Sequence, residues 1–209
     1  AQGLSVRFEG HEAIQYPAEI RIPTGTMTAI YGESGCGKST LGKIFGGLLS
    51  DYQGRVSYSG KAISQYPLAA LRGSVTYVPQ PDYFIEGTIL ENLLLGNDRQ
   101  VPLEEIVRMG NALGCTRWIW ELPQKFHEPI SYMGASLSGG QRQSLSILRA
   151  VLQDNDTIIF DETLSHLDAG TIRSVMAGLK QLNKTCIIIT HDPGMIGACD
   201  SVLNLSASV

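Results

Sequence analysis

"GESGCGKST", residues 32–40, places three glycines, two serines, one lysine and one threonine in nine positions. Before it stands "MTAIY", a short run rich in β-formers, and after it "LGKIFGGLL", with apolar residues at helical spacing. Glycines between a strand and a helix match G-x-x-x-x-G-K-[ST] through Gly32, Gly37, Lys38 and Ser39. The chemistry asks for these residue types. Glycine lets successive backbone N–H groups turn toward one anion. The helix start that follows adds unpaired donors and a partial positive charge. Lys38 is expected to reach the β- and γ-phosphates and the Ser39 hydroxyl to ligate Mg²⁺, with Thr40 beside it. Glu33, Ser34, Gly35 and Cys36 complete the loop. A flexible Gly/Ser turn is the plainer alternative, and the strand–loop–helix context weighs against it. The loop alone does not name the nucleotide.

The chain has 209 residues, enough for one large α/β domain with a sizeable core. With 43% apolar and 17% charged residues it is a globular chain. A net charge of −4 gives no electrostatic footprint for nucleic acid, so none is expected as a partner. No apolar run approaches the roughly 18 residues of a membrane span. The cysteines at 36, 115, 186 and 199 have neither metal nor disulfide spacing and read as reduced thiols of a cytosolic domain. A helix N-terminus lowers a thiol pKa, which makes Cys36 a candidate reactive thiol.

Strands are expected at 4–8, 18–22, 27–31, 55–58 and 75–78. From 88 to 151 the pattern turns helical, in "TILENLLLG", "PLEEIVRMGNALG" and "GQRQSLSILRAVLQ". Unbroken apolar β runs return at "TIIFD" and "TCIIIT", as buried parallel strands require, with "LDAGTIRSVMAGLKQL" as the crossover helix. A helical insert, 88–151, thus interrupts an α/β nucleotide-binding core made of 1–87 and 152–209.

"TIIFDE" ends in Asp161 and Glu162 at the carboxyl end of a buried strand, where open α/β sheets place ligand-binding groups. Asp161 is expected to bind Mg²⁺ and Glu162 to act as general base for water. An acidic cap after a strand is the ordinary alternative. His191, past "TCIIIT", is expected on the same sheet edge, against a γ-phosphate. Gln80, in "YVPQ", carries a carboxamide suited to a metal-bound water or a phosphate. "LSGGQ", 137–141, opens a helix with Ser138 as N-cap and the N–H groups of Gly139 and Gly140 facing outward. This second anion site is expected to lie too far from the P-loop of its own chain. It would serve the P-loop of a second copy in a head-to-tail dimer of two-fold symmetry.

Together these residues resemble the ATP-binding cassette (ABC) family of transporter ATPase domains, over nearly the whole chain and in the family's order. "GESGCGKST" looks like Walker A, "YVPQ" the Q-loop, "LSGGQRQ" the signature and "TIIFDE" Walker B. "LSHLD" is similar to the D-loop, with His166 where a small residue is usual, and His191 looks like the switch histidine. "PQPDYFIEGTILENLLLG" and "WIWELPQKF" are similar to the exporter type, whereas "THD" is commoner in importers. "SYMGAS" lacks the glutamate that exporters usually carry before the signature. The adenine-stacking aromatic upstream of Walker A is Phe8 by spacing, with Tyr16 as the alternative.

The resemblance implies a P-loop NTPase (RecA-like) core with a mostly parallel sheet, an N-terminal antiparallel β part and an inserted helical subdomain. It implies ATP and Mg²⁺ as cofactors, hydrolysis coupled to transport, and a second copy and a transmembrane domain as partners. Lys38, Gln80, Glu162 and His191 would carry catalysis. Ser39, Gln80 and Asp161 would hold the metal, and Ser138, Gly139, Gly140 and Gln141 would clamp the opposite nucleotide. The expected place is the cytoplasmic face of a membrane, as an excised domain of a longer exporter. A soluble ABC ATPase of DNA repair or translation would carry a long coiled-coil insertion or two cassettes per chain, and neither is present. A non-hydrolysing regulatory module would not need both Glu162 and His191.

Overall fold

The computed structural model describes residues 1–206. The chain begins with β1 (Gln2–Val6), β2 (Ile14–Gln15), β3 (Met27–Tyr31), α1 (Lys38–Phe45), β4 (Gln53–Arg55), β5 (Ser57–Tyr58) and β6 (Lys61–Ala62). It continues through α2 (Leu68–Arg72), β7 (Val75–Val78), β8 (Gly87–Thr88), α3 (Ile89–Leu94), α4 (Leu103–Leu113) and β9 (Pro129–Ile130). It closes with α5 (Gly139–Leu152), β10 (Thr157–Asp161), α6 (Ala169–Gln181), β11 (Thr185–Ile189), α7 (Pro193–Ala198) and β12 (Ser201–Asn204).

A five-stranded sheet of order β12-β3-β11-β10-β7 forms the centre, and every neighbouring pair in it is parallel. An antiparallel sheet β2-β1-β4 lies at the N-terminal side. All residues of β10 and β11 are buried, so neither strand alternates apolar with polar. The two faces still separate by parity. Ile158, Phe160, Cys186 and Ile188 join a core with Leu145, Leu148, Val175 and Ile106. Ile159, Ile187 and Ile189 join another with Leu41, Ile44, Leu4 and Val6. Helices α3 to α6 therefore cover one face of the sheet, and α1 with the antiparallel sheet covers the other.

The N-terminal strands differ from the sequence pattern. The run 18–22 pairs only through an isolated bridge, Gln2 to Glu19, and the paired strand is β2. Pro17 and Pro23 flank the run and remove two ladder donors, while Ile20 is buried as a packing residue. The expected strand 55–58 is divided between β4, which pairs with β1, and β5, which pairs with β6. The buried Val56 sits at the division. β1 ends at Val6, leaving Phe8 beyond the ladder.

Helix α5 begins with a reciprocal capping box. Ser138 Oγ accepts from the Gln141 N–H at 3.2 Å, and Gln141 Oε1 accepts from the Ser138 N–H at 2.9 Å. Helices α4 and α6 are in close contact at Gly178. A Cβ there would lie 2.7 Å from the Ala112 carbonyl oxygen and 3.1 Å from Leu113 Cα. Gly178→Ala should therefore force the helices apart at a cost of ~1–3 kcal/mol, larger than the gain in helix propensity. Thermal denaturation should show Tm lower by about 2–4 °C for each kcal/mol. An unchanged or raised Tm would contradict this close crossing.

Candidate nucleotide site

The register of the central sheet brings the chemistry to one edge. Asp161 pairs with Ile189, Ile189 with Ile30, and Phe160 with Val78. Residues that follow these strands, 32–40, 79–80, 162 and 190–191, therefore leave the sheet side by side at its carboxyl edge.

Gly37 stands at the N-cap of α1 with φ +93°, in the left-handed region. A Cβ there would come 2.7 Å from Tyr16 Oη and 2.9 Å from Ile14 Cγ2, so the loop is packed tightly from behind. Glu33, Ser34 and Gly35 are exposed at the loop tip, Gly32 and Cys36 half-buried. Lys38 is 8% exposed, and its Nζ donates to the carbonyls of Gly32 at 3.0 Å and Glu33 at 2.8 Å. Among the described residues no carboxylate pairs with this ammonium. It is a buried cation held by two carbonyl dipoles and a longer contact to Cys36 Sγ at 4.0 Å, and an anion inside the loop would give it a full counter-charge.

Asp161 is 6% exposed, and both its oxygens are engaged. Ser39 Oγ donates to Oδ1 at 2.9 Å and Tyr77 Oη donates to Oδ2 at 2.5 Å. Burial and the Asp161 carboxylate both push the Tyr77 phenol upward, so it stays a donor. Among the described residues no cluster of three His, Cys, Asp or Glu side chains could hold a metal unaided. A hydroxyl and a carboxylate oxygen in contact are nonetheless a fitting pair of hard ligands for Mg²⁺, whose other positions go to phosphate oxygens and water. Gln80 lies exposed, two residues past β7. The peptide bond from Gln80 to Pro81 is cis.

Glu162 has φ +53°, a left-handed conformation uncommon for a residue with a side chain. Its N–H donates to the Ile189 carbonyl at 3.0 Å, and its carbonyl accepts from Ser165 Oγ at 3.0 Å. The side chain lines a cavity of about 270 Å³ together with His191. His191 is exposed, and the next residue, Asp192, caps α7 by accepting from the Met195 N–H at 2.9 Å.

At the signature, Ser138 Oγ is already the acceptor of the capping box. Gly139 and Gly140 begin α5 and lie against His166, within 3.5 Å of where their Cβ atoms would stand. The hydrogen bonds of this helix start run to its own turn and to the loop around Ser165 and His166, not to the P-loop. Of the two aromatic candidates, Phe8 is 42% exposed and lines an open depression with Arg7, His11, Glu12 and Asp51. Tyr16 is 6% exposed and its hydroxyl donates to the Gly37 carbonyl at 3.0 Å. Burial pushes that hydroxyl up to about 12. Tyr16 thus supports the loop from beneath and offers no free face to a base.

Three residues of the site escape the sequence pattern. Tyr77 is one more residue in a β run until its hydroxyl meets Asp161. Ser206, two residues past β12, accepts from the Glu33 N–H at 2.9 Å and so pins the loop. Gln143, 2% exposed, bonds Ser165 and His166. Only Gln143 carries a signal, being polar on the apolar face of a helix.

The family model described as "ABC transporter" matches residues 17–165. The chain is 36% identical over 191 residues to the lactococcin-G-processing and transport ATP-binding protein LagD of Lactococcus lactis, covering 91% of this chain and 27% of that protein. It is 33% identical over 205 residues to the ATP-dependent lipid A-core flippase of Haemophilus influenzae, covering 97% of this chain and 35% of that one. A bacterial Atm1-family ABC exporter solved with ATP bound superposes with a TM-score of 0.88 at 25% identity, over 98% of this chain and 37% of that chain. The chain thus spans about a quarter to a third of the length of the curated relatives it matches. A P-loop closed on a buried lysine, a Ser39–Asp161 pair at the sheet edge and a family match over most of the length lead to one conclusion: the chain belongs to the ABC transporter family, as an ATP-binding domain.

Proposed function

We propose that this domain hydrolyses Mg-ATP, that a second copy completes each site, and that the cycle drives export through a transmembrane partner at the cytoplasmic face of a membrane. The observation that carries the reading is Glu162. It follows the buried Asp161 directly, is held in a left-handed conformation, and shares a cavity wall with His191. Backbone strain of this kind persists where the surroundings over-determine it and is concentrated at active sites.

The roles follow from the atoms. Backbone N–H groups of 33–38, the Lys38 ammonium and the Ser39 hydroxyl bind the β- and γ-phosphates. Phe8 stacks on the adenine. Ser39, Asp161 and Gln80 would hold Mg²⁺, which would neutralise phosphate charge. Glu162 takes a proton from water as its oxygen bonds to the γ-phosphorus, and the bond to the β-phosphate oxygen breaks. His191 donates to the γ-phosphate. Ser138, Gly139, Gly140 and Gln141 of a second copy cover its open side, where charge develops in the transition state. The segment 88–151 acts as a helical subdomain that carries this signature.

One surface supports the transmembrane partner. Tyr83, Tyr132 and Met133 are 52%, 67% and 38% exposed, and the Met133 N–H donates to the Phe84 carbonyl, so these apolar side chains flank one backbone junction. The junction joins the segment after Gln80 to the segment before the signature. Exposed aromatic and methionine side chains are the composition of interface cores. Tyr132 and Met133 stand in the stretch where exporters usually carry a glutamate.

Glu162→Gln keeps the shape and removes the base, so ATP binding should persist while turnover falls by ~10²–10⁴. Turnover at the wild-type rate would remove Glu162 from the role of base. Ser138→Arg and Lys38→Ala should each be inactive, the second through lost nucleotide affinity. Mixed, they should regain activity, because one heterodimer site then keeps both an intact P-loop and an intact signature. No rescue, with activity independent of protein concentration, would show that the signature does not act across two chains.

A further inference from the structure

His166 occupies a loop position where the family usually carries a small residue, and the structure gives its ring a partner. The His166 backbone N–H donates to Gln143 Oε1 at 2.7 Å, and His166 Nδ1 lies 2.8 Å from Gln143 Nε2. Gln143 Nε2 also donates to Ser165 Oγ at 3.3 Å, and Ser165 Oγ in turn donates to the Glu162 carbonyl at 3.0 Å. The whole carboxamide of a buried glutamine is thus committed to the loop that follows Glu162.

The orientation of that carboxamide is forced. A backbone N–H can only donate, so the atom facing it is the oxygen, and the other is the NH₂. An NH₂ cannot accept, so Nδ1 is the acceptor and the ring proton sits on Nε2. The ring and backbone of His166 also rest on the start of α5. A Cβ on Gly139 would lie 3.4 Å from His166 Cβ, and one on Gly140 would lie 3.1 Å from its carbonyl oxygen.

We propose that His166 is a positioning residue for hydrolysis: with Gln143 it latches the loop after Glu162 to the signature end of α5, and protonation of its ring opens the latch. The proposal rests on the reading of Glu162 and of 138–141 given above. A second ring proton would set two donors face to face at the 2.8 Å separation. The carboxamide cannot turn over to relieve this, because its oxygen is held by the His166 N–H. Asp82, in the segment after Gln80, interacts by charge with His166 and also with Arg142 and Arg149 of α5. On the loop itself, Asp168 is engaged as the cap of α6 by the N–H groups of Gly170 and Thr171. Histidine is the side chain whose charge ordinarily changes between about pH 5 and 8.

The test uses the full-length protein and compares ATPase activity at pH 8 and pH 5.5 for wild type, His166→Asn and His166→Ala. Asparagine offers a non-titrating acceptor near the place of Nδ1. All other groups are common to the three proteins, so the difference between proteins is the readout. Wild type should lose about fivefold more kcat on acidification than His166→Asn, the worth of one hydrogen bond, with KM for ATP unchanged. His166→Ala should be low at both pH values. Identical pH profiles for wild type and His166→Asn would overturn the proposal. Amide hydrogen exchange at His166, corrected for its intrinsic rate, decides the latch without turnover. In wild type the amide should be protected at pH 8 and open at pH 5.5, and in His166→Asn protected at both. An unprotected amide at pH 8 would overturn the latch, whereas normal protection together with unimpaired Glu162→Gln turnover would fault only the hydrolysis reading.

Discussion

A buried carboxylate with both oxygens committed organises the site. Asp161 ends a fully buried strand, accepts from Ser39 on one side and from Tyr77 on the other, and has almost no access to water. An ionised carboxylate in such a place is tolerated only because it is hydrogen-bonded. Those two bonds fix three elements relative to one another: the start of α1, the middle of β7 and the end of β10. The P-loop, the departure toward Gln80 and the backbone of Glu162 all take their positions from that junction. Replacing Asp161 by an apolar residue would orphan the Ser39 and Tyr77 hydroxyls.

Much of this was legible in the chain because the chemistry demands rare residue combinations. Glycines at 32, 35 and 37 around a lysine have few uses besides surrounding an anion, and the left-handed Gly37 fits that demand. β10 and β11 were legible because parallel strands covered on both faces need unbroken apolar runs. The N-terminal part was not. Ile20 and Tyr16 look like strand residues by type, but the run 18–22, with a proline on either side, makes only an isolated bridge to the first strand, and both side chains are buried by packing. Tyr16 and Phe8 illustrate the limit of spacing. Each is an aromatic upstream of the loop, and only depth separates a support beneath the backbone from a ring exposed at the rim.

The site residues that sequence does not reveal are those whose role lies in a partner far along the chain. Tyr77 and Asp161 are 84 positions apart, and Glu33 and Ser206 are 173 apart. Neither tyrosine in a strand nor serine near the end of a chain is unusual. Gln143 differs, because a fully buried carboxamide on a helix needs four hydrogen-bonding sites answered and therefore implies a polar neighbour. The family pattern names the loop that supplies it, and His166 is the residue that makes the answer specific to this chain.

Helix α5 is where these constraints meet. It is 14 residues long, about 21 Å at the rise of an α-helix. Its N-terminal end carries Gly139 and Gly140 and, through Gln143, the loop beside Glu162. Its last turns hold the segment after Gln80: Arg149 donates from Nε to the Asn92 carbonyl and from Nη1 to the Tyr83 carbonyl, both at 2.7 Å, and stacks over Phe84. Burial pulls the Arg149 guanidinium down to about 10 and pushes the Asp82 carboxyl up. Among the described residues Arg149 Nη2 and Asp82 Oδ1 have no hydrogen-bond partner, although the two charges attract one another. A fully satisfied junction would be rigid, and an unsatisfied one costs free energy that a small shift of the segment recovers. The helix is thus clamped tightly at its signature end and less completely at the end that faces the exposed Tyr83.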